Sequence, residues 1–127
     1  MLAPMSDPRH ALGLAAESAT ERWLSAAGWQ VLGRRWRPTG GGEVDLAALD
    51  PDGVLVVIEV RARRSSRSGP AAASVDARRV RRLRRSLALI AASTGRPHRG
   101  LRVDLVAAEP VAGSPPRWRL VRTPGIG

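Results

Sequence analysis

The sequence predicts a mixed α/β domain with the element order α-β-β-β-α-β-β, a mixed sheet carrying one helix on each face. Three observations lead there. The chain has 127 residues, enough for one core and not for two. Two long stretches repeat apolar residues at helical spacing, and five short runs rich in Val, Leu, Ile and Trp are bounded by Gly, Pro and Asp. The expected organisation is a flexible start over residues 1–8, one domain over 9–122 and a tail over 123–127.

Asp7-Pro8 suits a helix opening, and Leu12, Ala15, Ala16, Ala19, Trp23 and Ala27 then form one apolar stripe. Gly28 ends that helix. Residues 29–36 read as a first strand, followed by a Gly-rich turn over 39–42. Two apolar runs, 43–49 and 54–60, are separated by Asp50-Pro51-Asp52-Gly53, strong turn chemistry for a hairpin. Residues 62–74 are basic and small and read as a mobile loop. Ser74 can cap a second helix to about Thr94, with Val80, Leu83, Leu87 and Ile90 facing the core. Gly95 and Pro97 stop it. Residues 101–107 form a fourth strand, and a Gly-Ser-Pro-Pro break precedes a fifth around 118–121.

Composition narrows the chemistry. There is no cysteine, which excludes disulfides, thiolate catalysis and cysteine-ligated metal sites. His10 and His98 are the only histidines, so any metal would be held by oxygen ligands, favouring Mg²⁺ or Mn²⁺. The apolar stretch 54–58 is too short to cross a bilayer, and no secretory leader opens the chain. The expectation is a cytoplasmic protein without a membrane partner. The net charge is +10, and all 21 basic residues are arginine. A uniform choice of Arg over Lys reads as codon bias, but the net charge does not depend on that choice. It favours a polyanionic partner, DNA first, with RNA not excluded.

The hairpin carries the most information. Residues 54–60 are almost wholly apolar, as a strand buried on both faces should be, yet Glu59 interrupts them. The turn sets a register that puts Asp45 opposite Glu59 and Glu43 opposite Arg61, subject to a one-residue bulge at Gly53. Alternation then gathers three carboxylates and one guanidinium on one patch. Directly opposed like charges about 5 Å apart repel by roughly 3 kcal/mol at an effective dielectric near 20. Arg61, a divalent cation or a shared proton must relieve that repulsion.

The second helix is the other strong feature. Arg78, Arg79, Arg81, Arg82, Arg84 and Arg85 cover it outside the Val80–Leu83–Leu87 stripe, and Arg63, Arg64 and Arg67 precede it. Such a run needs an anion beside it; phosphate-backbone contact is the natural one, and a solvated face is the bland alternative. Trp23, Trp29 and Trp118 read as core, whereas Trp36, between Arg35 and Arg37, could stack on a base.

These residues carry a resemblance. G-G-E-V-D-L-A (41–47) followed by I-E-V-R-A-R-R (58–64) resembles the bipartite signature of the PD-(D/E)-x-K nuclease superfamily. With residues 13–24, 27–32, 74–83 and 101–106, nearly the whole chain resembles the uncharacterised YraN-type bacterial family, itself similar to archaeal Holliday-junction resolvases. The resemblance implies a restriction-endonuclease-like αβββαβ core, here with an extra C-terminal strand. It further implies an Mg²⁺- or Mn²⁺-dependent endonuclease acting on DNA phosphodiesters, branched DNA among them. In that frame Asp45 and Glu59 are metal ligands, Glu17 on the first helix is a third acid, Arg61 takes the place of the superfamily's Lys, and Glu43 is an accessory acid. By helical geometry alone Glu17 could instead pair with Arg22 or face solvent. Resolvase-like proteins act as dimers, so a homodimer is allowed, although no apolar patch predicts one.

Two departures stand out. Val44 replaces the Pro before Asp45. Arg61, unlike Lys, stays charged and cannot help deprotonate a water. That second departure leaves an alternative open: a non-catalytic nucleic-acid-binding accessory module with a vestigial site. A ribosome-associated basic protein would also fit the charge but leaves Glu59 unexplained.

Overall fold

Asp7 and Pro8 open the first helix as their chemistry predicts. The Asp7 carboxylate accepts the backbone N–H of Arg9 at 2.9 Å, and Pro8 begins α1, Pro8–Ala26. Gly28 follows the C-cap at φ +91°, a left-handed conformation that costs glycine little. The structure, a computed structural model, describes residues 7–64, 75–113 and 117–126.

Five strands follow the predicted order: β1 Gln30–Trp36, β2 Val44–Leu49, β3 Leu55–Ala62, β4 Leu101–Val111 and β5 Arg117–Thr123, with α2, Ala77–Thr94, between β3 and β4. They make one sheet in sequence order, antiparallel except for the β3–β4 pair. A parallel pair needs a crossover, and α2 supplies it.

The helices cover opposite faces. Leu83, Leu87 and Ile90 of α2 pack on Val44, Ala47, Leu55, Val57 and Val103. Leu24 of α1 packs with Trp29, Leu46, Ala48, Val56, Ile58 and Val106 on the other side. β3, covered on both faces, is therefore apolar at nearly every position. Its odd-numbered residues face α2, which fixes where Glu59 must point.

Several expectations need correction. The buried line of α1 is Ala16, Ala19, Thr20 and Leu24, whereas Ala15 and Ala27 are exposed and Trp23 is 39% exposed. Alanine lies on several sides of this helix, so apolar spacing does not single out one stripe. Thr20 joins the buried line because its hydroxyl donates to the Ala16 carbonyl at 2.8 Å. The described part of α2 is capped by Asp76, which accepts the Arg79 N–H at 2.8 Å. Ser74, the predicted cap, lies outside the described residues, as do Arg67 and most of the 62–74 loop. β4 runs four residues past its predicted end because β5 pairs with it as far as Val111.

Candidate functional site

The hairpin register is the predicted one over four pairs, from Leu49↔Leu55 to Leu46↔Ile58. The ladder stops there, one step short of Asp45 and Glu59. Instead the Val60 N–H donates to Asp45 Oδ2 at 2.8 Å, so the side chain takes over a strand contact at the open end of the hairpin. The two acids are close enough for the Glu59 carboxylate to act directly on Asp45 and raise its carboxyl.

Their environments differ. Burial and the neighbouring Glu59 push the Asp45 carboxyl up to about 8. Glu59 is only 2% exposed, and burial pushes its carboxyl up as well. That push is outweighed by hydrogen bonds and charge from Arg79, so Glu59 is held below its ordinary value. Arg79 Nε and Nη2 donate to the two Glu59 oxygens at 2.6 and 3.1 Å. Arg61 Nη2 reaches Glu59 at only 3.4 Å. The repulsion is thus relieved by a proton on Asp45 and by Arg79 on Glu59, with Arg61 a minor contributor. Arg61 Nε is buried and has no hydrogen-bond partner, the one such side-chain atom among the described residues.

Residues 16–108, a span holding both acids and all of α2, match the model of the uncharacterised protein family UPF0102. The chain belongs to that family. Its UPF0102 relatives include a protein of Bordetella avium, 45% identical over 103 residues that make up 81% of this chain and 70% of the relative. A relative from Symbiobacterium thermophilum is 38% identical over 111 residues, 87% of this chain and 92% of its own. One from Paracidovorax citrulli is 47% identical over 75 residues, 58% of this chain and 56% of its own. No solved structure matches the chain.

In this UPF0102 protein a cleft of about 300 Å³ opens on Asp45, lined also by Arg37, Glu43, Arg79, Arg82 and Ser86. Its shape follows from local sequence. A Cβ at Gly41 would lie 2.9 Å from Leu89 Cδ1 and 3.0 Å from Ser86 Oγ, so glycine lets the Gly-rich turn lie against α2 without displacing those side chains. Ser86 donates to the Gly42 carbonyl at 2.8 Å, and Arg85 Nε to the Gly40 carbonyl at 3.2 Å, fixing that turn.

The other predicted residues fall as follows. Glu43 precedes β2 rather than pairing within it; it is exposed and stands at the cleft wall, not opposite Arg61 in the ladder. Glu17 is half-buried on α1, and burial raises its carboxyl although the nearby Arg35 charge opposes this. Its charge also raises Asp45, but less than burial and Glu59 do. Arg64, Arg78 and Arg82 are exposed, Arg63 is half-buried, and Arg79 is committed to Glu59.

Sequence reasoning missed the special role of Arg79 and the presence of Ser86. The signal existed: Arg79, Arg82 and Ser86 follow at spacings of three and four, a line beside the apolar stripe that continues the core toward the acids. Six arginines in eight residues hid it.

Among the described residues no three His, Cys, Asp or Glu side chains converge as a metal-holding cluster. The acid pair still suits Mg²⁺, which binds through one or two carboxylates and fills its remaining positions with water and phosphate oxygens. An Asp45 carboxyl raised beside Glu59 holds a proton at neutral pH whose place such a cation would take.

Proposed function

We propose that this chain is a nucleic-acid-binding, Mg²⁺-dependent endonuclease-like protein acting on DNA phosphodiesters, with Mn²⁺ able to substitute. The observation that carries the reading is Asp45, its carboxyl raised by burial and by neighbouring Glu59, at the wall of a cleft that Arg37, Arg79 and Arg82 also line. Asp45 and Glu59 would hold the cation, which when bound supplies an activated water and neutralises charge on the phosphodiester.

The chain's own residues do the rest. Glu59 becomes a ligand only if Arg79 releases at least one of its two bonds to it. Arg61 remains a cation and stabilises negative charge on phosphate oxygens; it cannot accept a proton. Val60, through its N–H, keeps Asp45 oriented toward Glu59. The exposed arginines of α2 contact the phosphate backbone without reading sequence, so binding falls steeply with salt.

One observation favours a second reading, a non-catalytic nucleic-acid-binding module. The bidentate Arg79 contact neutralises Glu59 without any metal.

A cleavage panel of linear, flapped and four-way DNAs in Mg²⁺ or Mn²⁺, run beside gel shifts, tests the two. The nuclease reading expects Asp45→Asn to abolish cutting while retaining binding. Cutting that survives this change overturns it, and binding without cutting by the wild type supports the module.

A further inference from the structure

We propose that a second pocket, formed by Arg61, Arg78, Arg79 and Arg82, binds one phosphate group of a nucleic-acid strand that passes the acid pair. The pocket has a volume of about 350 Å³, and Asp76 is the fifth residue lining it. It shares Arg79 and Arg82 with the cleft that holds Asp45, so the two are neighbours across one wall.

Charge and unused donors identify the ligand. Four guanidiniums line the pocket against one carboxylate, and the Asp76 carboxylate is already occupied in capping α2 through the Arg79 N–H. Glu59, outside it, balances one more charge through Arg79. Arg78 and Arg82 have no ion pair among the described residues. Arg61 leaves its Nε–H buried without an acceptor and makes only a 3.4 Å contact through Nη2. A small rotation of Arg61 toward the pocket would give that donor an oxygen. The site therefore has about two positive charges in excess and guanidinium forks with nothing to hold. Phosphate matches both, because its oxygens accept paired guanidinium N–H bonds in one plane.

The proposal rests on the nucleic-acid reading for its ligand but on neither metal nor cleavage. Phosphate binding is accordingly measured in EDTA on the full chain, with inorganic phosphate in isothermal titration. Strand binding is followed by fluorescence anisotropy, using single-stranded oligonucleotides with and without a 5′-phosphate. The expected result is saturable binding of phosphate at one site. Arg78→Ala and Arg82→Ala, both on the exposed side of α2, should each weaken it at least fivefold, while Arg96→Ala beyond the far end of the helix leaves it unchanged.

If the occupant is a terminal phosphate, the phosphorylated strand binds more tightly and the advantage disappears in Arg78→Ala. If it is an internal one, both strands bind alike and Arg78→Ala weakens both. Phosphate that never saturates, or an Arg96→Ala loss equal to that of Arg78→Ala, overturns the pocket. Asp45→Asn should bind phosphate like the wild type, so failure of the nuclease reading would leave this site standing.

Discussion

An aspartate stands at each end of β2, half-buried Asp45 near its start and buried Asp50 just past its end, and their chemistry is opposite. At the far end Asp50 accepts the N–H groups of Asp52 and Val54, both at 2.9 Å, and Arg102 Nη1 at 3.0 Å. Burial pushes Asp50 up, but these donors outweigh it and hold the carboxyl below its ordinary value. Arg102 also grips Asp104, fully buried in β4, through Nε at 2.7 Å and Nη2 at 3.0 Å. Arg122 Nη1 and the Gly125 N–H complete four donors on Asp104, both at 3.0 Å. Arg122 lies 5.2 Å from the centre of the Trp29 ring, so this network ties β4, β5 and the C-terminal segment to the α1 face. Asp45 has one N–H and a second carboxyl. Burial is common to both ends; the number of donors differs. A carboxylate with its acceptor capacity filled is structural, whereas one facing another acid is left with a proton to exchange.

The comparison can be broken first at its rigid end. Arg102→Met should lower unfolding stability by about 3–5 kcal/mol in urea denaturation, because it strips two of four donors from a fully buried carboxylate. A loss below about 1 kcal/mol would mean that the network is not what holds the C-terminal segment.

At the other end the sign reverses. The folded-state value of Asp45 lies near 8, above its unfolded value of 3.8. Its contribution is therefore fully present below the unfolded value and is lost as pH rises toward 8. Asp45→Asn should remove that loss and be the more stable protein at pH 8.5, by on the order of 1 kcal/mol or more. Melting curves from pH 5 to 8.5 for both proteins would show the wild type falling relative to the variant. Parallel curves would contradict the assignment.

The smallest effect is expected on the surface. Arg34 Nε meets Glu21 at 3.2 Å with both side chains substantially exposed, at 44% and 34%. Arg34→Ala should cost less than about 1 kcal/mol in urea, and salt should erase the difference.

Much of this was legible beforehand. Pro51-Asp52-Gly53 set the hairpin turn, the turn set the register, and the register brought Asp45 to Glu59. Glu59 stood out because it interrupts a run that is otherwise apolar. Arg102 and Asp104 gave no comparable signal, since L-R-V-D-L-V alternates as any half-exposed strand would. Their network depends on which strands become neighbours, which one chain's spacing does not encode. The same holds for Arg79, whose distinction from its neighbours is a matter of helix rotation against the sheet. α1 misled because alanine fits a buried or an exposed position equally well.

The central claim is that Asp45, beside Glu59, holds at neutral pH a proton that a divalent cation can displace. Isothermal titration of the EDTA-stripped protein with Mg²⁺ at pH 7, repeated in buffers of different ionisation enthalpy, measures both events at once. One bound Mg²⁺ should release about one proton, and Asp45→Asn should abolish the release. Mg²⁺ that does not bind, or that binds with no proton leaving, would contradict the account.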